Sequence, residues 1–75
     1  MTQKALILRY IEDFGSITPM EAFSDLGITK LATRISEMQN KDGWKFKIEM
    51  VKSKNRYGKP TRYARYSFPE QSGVR

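Results

Sequence analysis

The sequence predicts a small α+β domain in which three short helices precede a two-stranded β-hairpin. Apolar residues recur at helical spacing in three segments before residue 42, and glycines separate these segments. From Trp44 onward the apolar period changes from helical spacing to two, as in a strand with one buried face. A chain of 75 residues is long enough for one domain with a small core.

The first helix is predicted within residues 2–15. Its apolar side chains recur every three or four residues, which places them on one helical stripe that we expect to face the core. The members of this stripe are Ile7, Tyr10, Ile11 and Phe14. Gly15 follows the last of them and is expected to end the helix.

The second helix is predicted to begin at Pro19, because Thr18 and Glu21 have capping-box spacing around that proline. The Thr18 hydroxyl can accept from the third amide of the helix, and Glu21 can accept from the Thr18 amide. Gly27 is expected to end the helix in a left-handed conformation. The side chains expected to point inward are Phe23 and Leu26.

The third helix is predicted over residues 30–40. Four apolar residues fall on one of its faces or just before it: Ile28, Leu31, Ile35 and Met38. At 100° per residue the opposite face is polar, with Arg34 on its flank, and carries Thr29, Lys30, Thr33, Glu37, Asn40 and Lys41. The sequence "NKDG" then ends the helix.

The hairpin is predicted from two alternating segments. In the first, an apolar face expected to cover the core carries Trp44, Phe46, Ile48 and Met50. In the second, residues 62–68, the matching face carries Ala64, Tyr66 and Phe68. Residues 53–61 are rich in turn formers and are expected to be the loop. The domain is therefore predicted to span residues 1–68, followed by a disordered tail over residues 69–75.

Three helices followed by a hairpin is the element order of a winged helix-turn-helix, in which the hairpin projects as a wing. The stretches "GSITPMEAFSDLGITKLATRISEM" and "NRYGKPTRYARYSF" resemble small helix-turn-helix domains encoded by bacteriophages and prophages. The resemblance covers residues 11–68 and departs from the family after the third helix, where "MQNKDGW" is a longer and more polar link. It implies the winged fold and, through that fold, DNA binding.

The distribution of charge indicates a polyanionic partner. The chain has a formal net charge of +6. Residues 1–43 hold five basic residues against six acidic ones, whereas residues 44–75 hold nine basic residues against two acidic ones. The excess positive charge therefore lies in the hairpin half, where it favours a nucleic acid. The alternative interpretation is that the charge serves only solubility.

Two groups of residues are the candidate DNA contacts. The start of the third helix would enter the major groove, where its side chains contact base edges and phosphates: Thr29, Lys30, Thr33 and Arg34. The wing would contact phosphates and the minor groove with six residues: Lys52, Lys54, Arg56, Tyr57, Lys59 and Arg62. Of these, Arg56 would insert into a narrow minor groove. The cationic strip is extended by Lys45, Lys47 and Arg65.

Other interpretations of these residues stay open. The polar face of the third helix is also what a solvated helix presents, and charge on a hairpin protects a sheet edge from aggregation. Stacking of single-stranded bases on Trp44, Tyr57 and Tyr63 is the less favoured nucleic-acid reading, because Trp44 continues the core-facing alternation.

Composition argues against several classes of function. The chain has no Cys and no His, so a thiolate or imidazole metal site, a catalytic nucleophile paired with a base, and a cofactor are not expected. The apolar run of residues 5–8 is far too short for a signal peptide or a membrane span. We expect a non-enzymatic protein of the bacterial host cytoplasm, either a monomer or a homodimer.

The sequence thus predicts a protein that binds double-stranded DNA and regulates transcription through its third helix and basic wing, and the resemblance implies that it is a small phage or prophage protein. An excisionase-type DNA-bending factor is a close variant of this prediction. The alternative is a host-takeover or inhibitor protein, similar in role to an anti-CRISPR, that uses the winged helix as a scaffold for binding a host protein.

Overall fold

The computed structural model describes residues 2–69. Three helices, α1 (Gln3–Phe14), α2 (Pro19–Leu26) and α3 (Leu31–Lys41), precede the strands β1 (Lys47–Lys54) and β2 (Pro60–Ser67). The two strands pair antiparallel, so the predicted α+β class and winged helix-turn-helix order are confirmed. The predicted tail of residues 69–75 lies outside the described residues except for Pro69. None of the helices described is long and apolar enough to cross a membrane.

The ends of α2 follow from the sequence as predicted. The Glu21 amide donates to Thr18 Oγ1 at 3.2 Å, and Glu21 Oε1 accepts from the Thr18 amide at 3.0 Å, which completes the capping box. Gly27 closes the helix with a φ of 69°, a left-handed conformation that favours glycine. The next helix, α3, begins one residue later than predicted, because Lys30 is its N-cap.

The core is formed by the three helices and the base of the hairpin. It contains Ile7, Ile11, Ile17, Ala22, Ile28, Leu31, Ile35, Met38, Phe46 and Tyr66. Two helical residues predicted to face the core are instead exposed: Phe14 is 70% exposed and Phe23 is 60% exposed. On α2 the small side chain of Ala22 takes the central position against the other helices, so Phe23, about 100° further around the helix, remains at the surface. Phe14 lies at the end of α1, where its ring packs on Tyr10 with centroids 4.6 Å apart.

The sheet is wider at its base than a hairpin alone. Ile17, in the link between α1 and α2, exchanges two backbone hydrogen bonds with Tyr66: the Ile17 amide donates at 2.8 Å and the Tyr66 amide donates at 2.9 Å. Ile17 is consequently fully buried. At this level β2 lies between Ile17 and β1, and β1 is the edge strand.

The hairpin has a shorter loop than predicted, and its strands lie closer to the turn: β1 begins at Lys47, three residues after the predicted start at Trp44, and ends at Lys54. Pairing continues outward through Ser53 opposite Thr61 and Lys54 opposite Pro60, so the loop is confined to residues 55–59. Turn-forming residues such as Ser53 and Pro60 can also lie at the exposed end of a two-stranded sheet. Composition alone therefore overestimated the length of the loop. As a result, Lys52, Lys54 and Arg62 lie on strands.

The apolar strand face covers the core only in part. Paired residues share a face and successive residues alternate, so Tyr66 lies on the same face as Ile48 and Ala64, here called the Tyr66 face. Tyr66 is buried, but Ile48 is 50% exposed and Met50 is 59% exposed, contrary to the prediction. The helical core reaches the inner strand β2 and leaves the edge strand β1 largely uncovered.

The polar link after α3 is held against the end of that helix. The Trp44 amide donates to the Met38 carbonyl at 3.0 Å, and Gly43 has a φ of 77°. Trp44, Phe46 and Phe68 then pack together with ring centroids 6.0–6.3 Å apart. Contrary to its predicted inward direction, Trp44 is 42% exposed, although its ring packs on those of Phe46 and Phe68.

Candidate nucleic-acid interface

The start of α3 presents three of the predicted contact residues to solvent. Thr29, Lys30 and Thr33 are exposed, whereas Ile28, just before them, and Leu31, between Lys30 and Thr33, are buried. The rotation of α3 is fixed by its buried residues, Leu31, Ile35 and Met38. Thr33 in the first turn therefore points away from the core, and Thr29 and Lys30 lie at the exposed entry to the helix. Hydroxyl, ammonium and methyl groups at this position are suited to phosphates and to base edges.

Arg34, the fourth predicted contact residue of α3, is held on the side of α1. Its Nε donates to Gln3 Oε1 at 3.0 Å and its Nη1 donates to Glu37 Oε1 at 2.9 Å. Lys4 Nζ lies 3.9 Å from the same Glu37 oxygen and 3.3 Å from Asp42 Oδ2. The guanidinium is therefore already bound in the free protein. Sequence reasoning missed these partners: the Glu37 spacing of three was visible, but Gln3 is 31 residues away.

The wing loop, residues 55–59, is a short turn built on Asn55. Asn55 Oδ1 accepts from the amides of Tyr57 at 2.9 Å and Lys59 at 3.0 Å, and the Gly58 amide donates to the Asn55 carbonyl at 3.0 Å. An Asn side chain that binds its own following backbone in this way stabilises a tight turn. The turn directs Arg56 and Tyr57 outward, and Tyr57 is 86% exposed.

The strands behind this loop add three cations on one face. Lys52 lies directly opposite Arg62, and Lys54 lies two residues beyond Lys52 on the same face. All three are exposed and belong to the Tyr66 face. The pairing of Lys52 with Arg62 was not predicted, although both residues are equally distant from the centre of the turn at Tyr57.

The opposite face of the hairpin, here called the Arg65 face, is largely neutral. Arg65 Nη2 donates to Glu49 Oε1 at 3.0 Å, and these two residues are cross-strand partners. The other pairs on this face are Val51 with Tyr63 and Ser53 with Thr61. Lys47, opposite Ser67, is its remaining charged residue. Arg65 was predicted to extend the cationic strip, but its charge is already paired with the Glu49 carboxylate.

Unpaired positive charge is concentrated in the wing. Of the thirteen basic residues between positions 2 and 69, four lie within ion-pair distance of a carboxylate in that range: Lys4, Arg9, Arg34 and Arg65. Five of the remaining nine fall in residues 52–62, a segment without Asp or Glu. In the part of the chain that the structure describes, no hydrogen bond or ion pair joins the wing to the start of α3.

The groove between α1 and α2 has a structural role. Tyr10 Oη donates to Asp25 Oδ2 at 2.6 Å, which ties the two helices together. This hydrogen bond, with smaller contributions from desolvation and from the charges of Glu21 and Asp25, raises the pKa of Tyr10 to about 12. Within residues 2–69 no group of three or more Asp, Glu, His or Cys side chains is placed to hold a metal ion.

Comparison with known proteins identifies the family. The chain matches no curated protein and no solved structure. It matches the family model described as "Winged helix-turn-helix domain" over residues 2–71, which is nearly its whole length. Together with the element order and the hairpin, this match shows that the chain belongs to the winged helix-turn-helix domain family, a type of DNA-binding domain.

Proposed function

We propose that this chain binds double-stranded DNA as a small phage or prophage regulator of transcription. In the proposed complex the first turn of α3 enters the major groove while the wing neutralises phosphates beside it. The observation that carries this proposal is the five cations of residues 52–62, which have no acidic residue within their segment. The family match supports DNA as the polyanion.

The two groups of residues have different roles in the proposed complex. The wing cations supply affinity for any sequence, because phosphates carry no base identity. Thr29, Lys30 and Thr33 supply sequence preference, because they are exposed at the start of α3 and their side chains make no hydrogen bond or ion pair within residues 2–69. Arg34 joins them only if its guanidinium exchanges Gln3 and Glu37 for a base.

Selection from a random duplex pool at physiological salt tests the proposal directly. An enriched motif is expected, and its symmetry reports whether the chain acts as a monomer or a homodimer.

Thr33→Ala is expected to change the preferred base at one position, a loss of about 1–3 kcal/mol there. Arg34→Ala serves as the comparison: if it lowers the melting temperature and leaves the motif unchanged, the guanidinium holds α1 and contacts no base. Failure of the wild-type chain to enrich any motif or to bind duplexes would refute the proposal.

Exposed apolar side chains favour a second candidate function, the inhibition of a host protein. On α2, Met20 is 72% exposed and Phe23, three residues later, is 60% exposed, while Ile48 and Met50 are exposed on the edge strand. Contiguous exposed apolar patches mark protein contacts, so these side chains are where a host protein would be expected to bind. Recovery of one host protein from nuclease-treated lysate, lost with Met20→Lys and Met50→Lys but kept with Arg56→Ala, would support this function. Loss of the captured protein after nuclease treatment would count against it.

A further inference from the structure

We propose that Lys52 and Arg62 together form a binding site for one phosphate group on the Tyr66 face of the wing, and that this face meets the DNA backbone. The inference rests on the proposed function and adds to it the side of the hairpin that contacts DNA. The first step is the register: Lys52 and Arg62 are direct cross-strand partners. Side chains at such positions start about 5 Å apart, close enough for both charged groups to contact one anion.

The second step is the surroundings of this cation pair. The nearest neighbours of Lys52 and Arg62 on the same face are the diagonal residues of the ladder: Met50, Lys54, Pro60 and Ala64. None of these is acidic, and Lys54 adds a third positive charge. Like charges placed directly opposite each other destabilise a strand pair. In the free protein the repulsion between Lys52 and Arg62 is therefore not offset by any neighbour on that face.

The third step is the contrast with the other face of the same two strands. Three residues from Lys52, Glu49 faces Arg65, and the two side chains form an ion pair at 3.0 Å. The same hairpin thus contains one cross-strand pair of opposite charge and one of like charge. The stabilising pair lies on the Arg65 face, and the repelling pair lies on the Tyr66 face next to the wing loop. An external anion is the missing partner of the repelling pair.

The chemistry of the two side chains fits a phosphodiester. Arginine donates two parallel hydrogen bonds to phosphate oxygens, and lysine contributes a compact charge with a flexible stem. Lys54 lies about 7 Å further along β1 on the same face, where it can contact the next part of the backbone. Contact along this line brings the wing loop, with Arg56 at its tip, toward the adjacent groove.

A charge reversal at Lys52 tests the proposal, because two measurements should move in opposite directions. Lys52→Glu replaces the repelling pair with a carboxylate facing Arg62. The melting temperature of the DNA-free protein should rise by about 1–8 °C, and this gain should shrink with added salt. Duplex affinity should fall by at least about fivefold at 0.15 M salt, the contribution of one lost phosphate contact. A purely structural role for Lys52 does not predict this combination.

Lys47→Glu is the matched control. It makes the same change in net charge on the same strand, but on the Arg65 face opposite Ser67. The present proposal takes Lys47 out of the cationic strip predicted from the sequence, because the Arg65 face is directed away from the DNA backbone in the proposed complex. Its duplex affinity should fall by less than about twofold, the loss expected when charge is lost without a phosphate contact. Equal losses in the two variants would overturn the assignment of the Tyr66 face. A melting temperature that does not rise in Lys52→Glu would overturn the repelling pair itself.

A small anion is distinguished from the DNA backbone by a separate titration. Inorganic phosphate at constant ionic strength is added to the wild-type chain and to Lys52→Glu, and their melting temperatures are compared. A stabilisation specific to the wild type, combined with equal duplex affinities for Lys52→Glu and Lys47→Glu, would identify a free-anion site and overturn the backbone contact. Absence of any duplex binding by the wild type would refute the proposed function as well, whereas duplex binding insensitive to Lys52 would refute only this inference.

Discussion

The salt dependence of DNA binding is the sharpest quantitative consequence of the wing. Five cations in residues 52–62 have no acidic residue within their segment. If each neutralises one phosphate, the slope of log affinity against log salt is about −4.5, because each contact contributes about −0.9. Affinity should then fall about 500-fold between 50 and 200 mM salt. Arg56→Ala removes one contact at the tip, so the slope should become about −3.6 and the same change in salt should cost about 150-fold.

The measurement is fluorescence anisotropy with a short labelled duplex over a range of sodium chloride concentrations. Arg9→Ala is the control, because Arg9 lies on α1 and is paired with Asp13 at 3.3 Å. Its slope should match that of the wild type. Since Arg56 is expected to contact phosphates or the minor groove, its loss should weaken duplexes of unrelated sequence alike. A wild-type slope near zero, or an Arg56→Ala slope equal to that of the wild type, would refute the assignment of the wing to phosphate contacts.

Three further predictions concern stability. Ile35→Ala should lower the free energy of unfolding by about 2–5 kcal/mol, measured by urea titration, because Ile35 is buried on the core face of α3; a loss below about 1 kcal/mol would contradict that packing. Thr18→Ala should cost about 0.5–2 kcal/mol through loss of the capping box, and Thr18→Ser should restore most of it. Tyr10 donates as a neutral hydroxyl, so its contribution is complete below pH 10 and is lost as pH rises toward 12. Tyr10→Phe should therefore show a smaller fall in melting temperature across that range than the wild type, and equal falls would contradict the Tyr10 hydrogen bond.

The sequence predicted those parts of the fold that are set by local chemistry. The capping box at Thr18 and Glu21 satisfies backbone amides within four residues, so it acts the same way in almost any context. The four apolar residues predicted on the core face of α3 or just before it are all buried: Ile28, Leu31, Ile35 and Met38. Their spacing over three turns places them on one side of the helix, which fixes the side that faces the core. In both cases the determining interactions lie within the element itself.

Predictions that depended on neighbouring elements were less accurate. The two turns of α2 do not fix its rotation, and close packing through Ala22 left Phe23 outside. The exposure of Ile48 and Met50 follows from which strand is the edge, and that depends on Ile17 pairing with Tyr66 across 49 residues of sequence. In the candidate site, the cations themselves were visible in the sequence. The partners of Arg34 and the face shared by Lys52 and Arg62 required the structure.

The pairing of Ile17 with Tyr66 has a consequence for how the domain melts. An isolated two-stranded hairpin is marginally stable in water. Here the base of the hairpin is fastened to the chain between the first two helices, through two backbone hydrogen bonds and side chains that belong to the core. Opening the strands at their base therefore exposes the same apolar interior that holds the helices together. Helical circular dichroism and Trp44 fluorescence should follow one cooperative transition with a common midpoint.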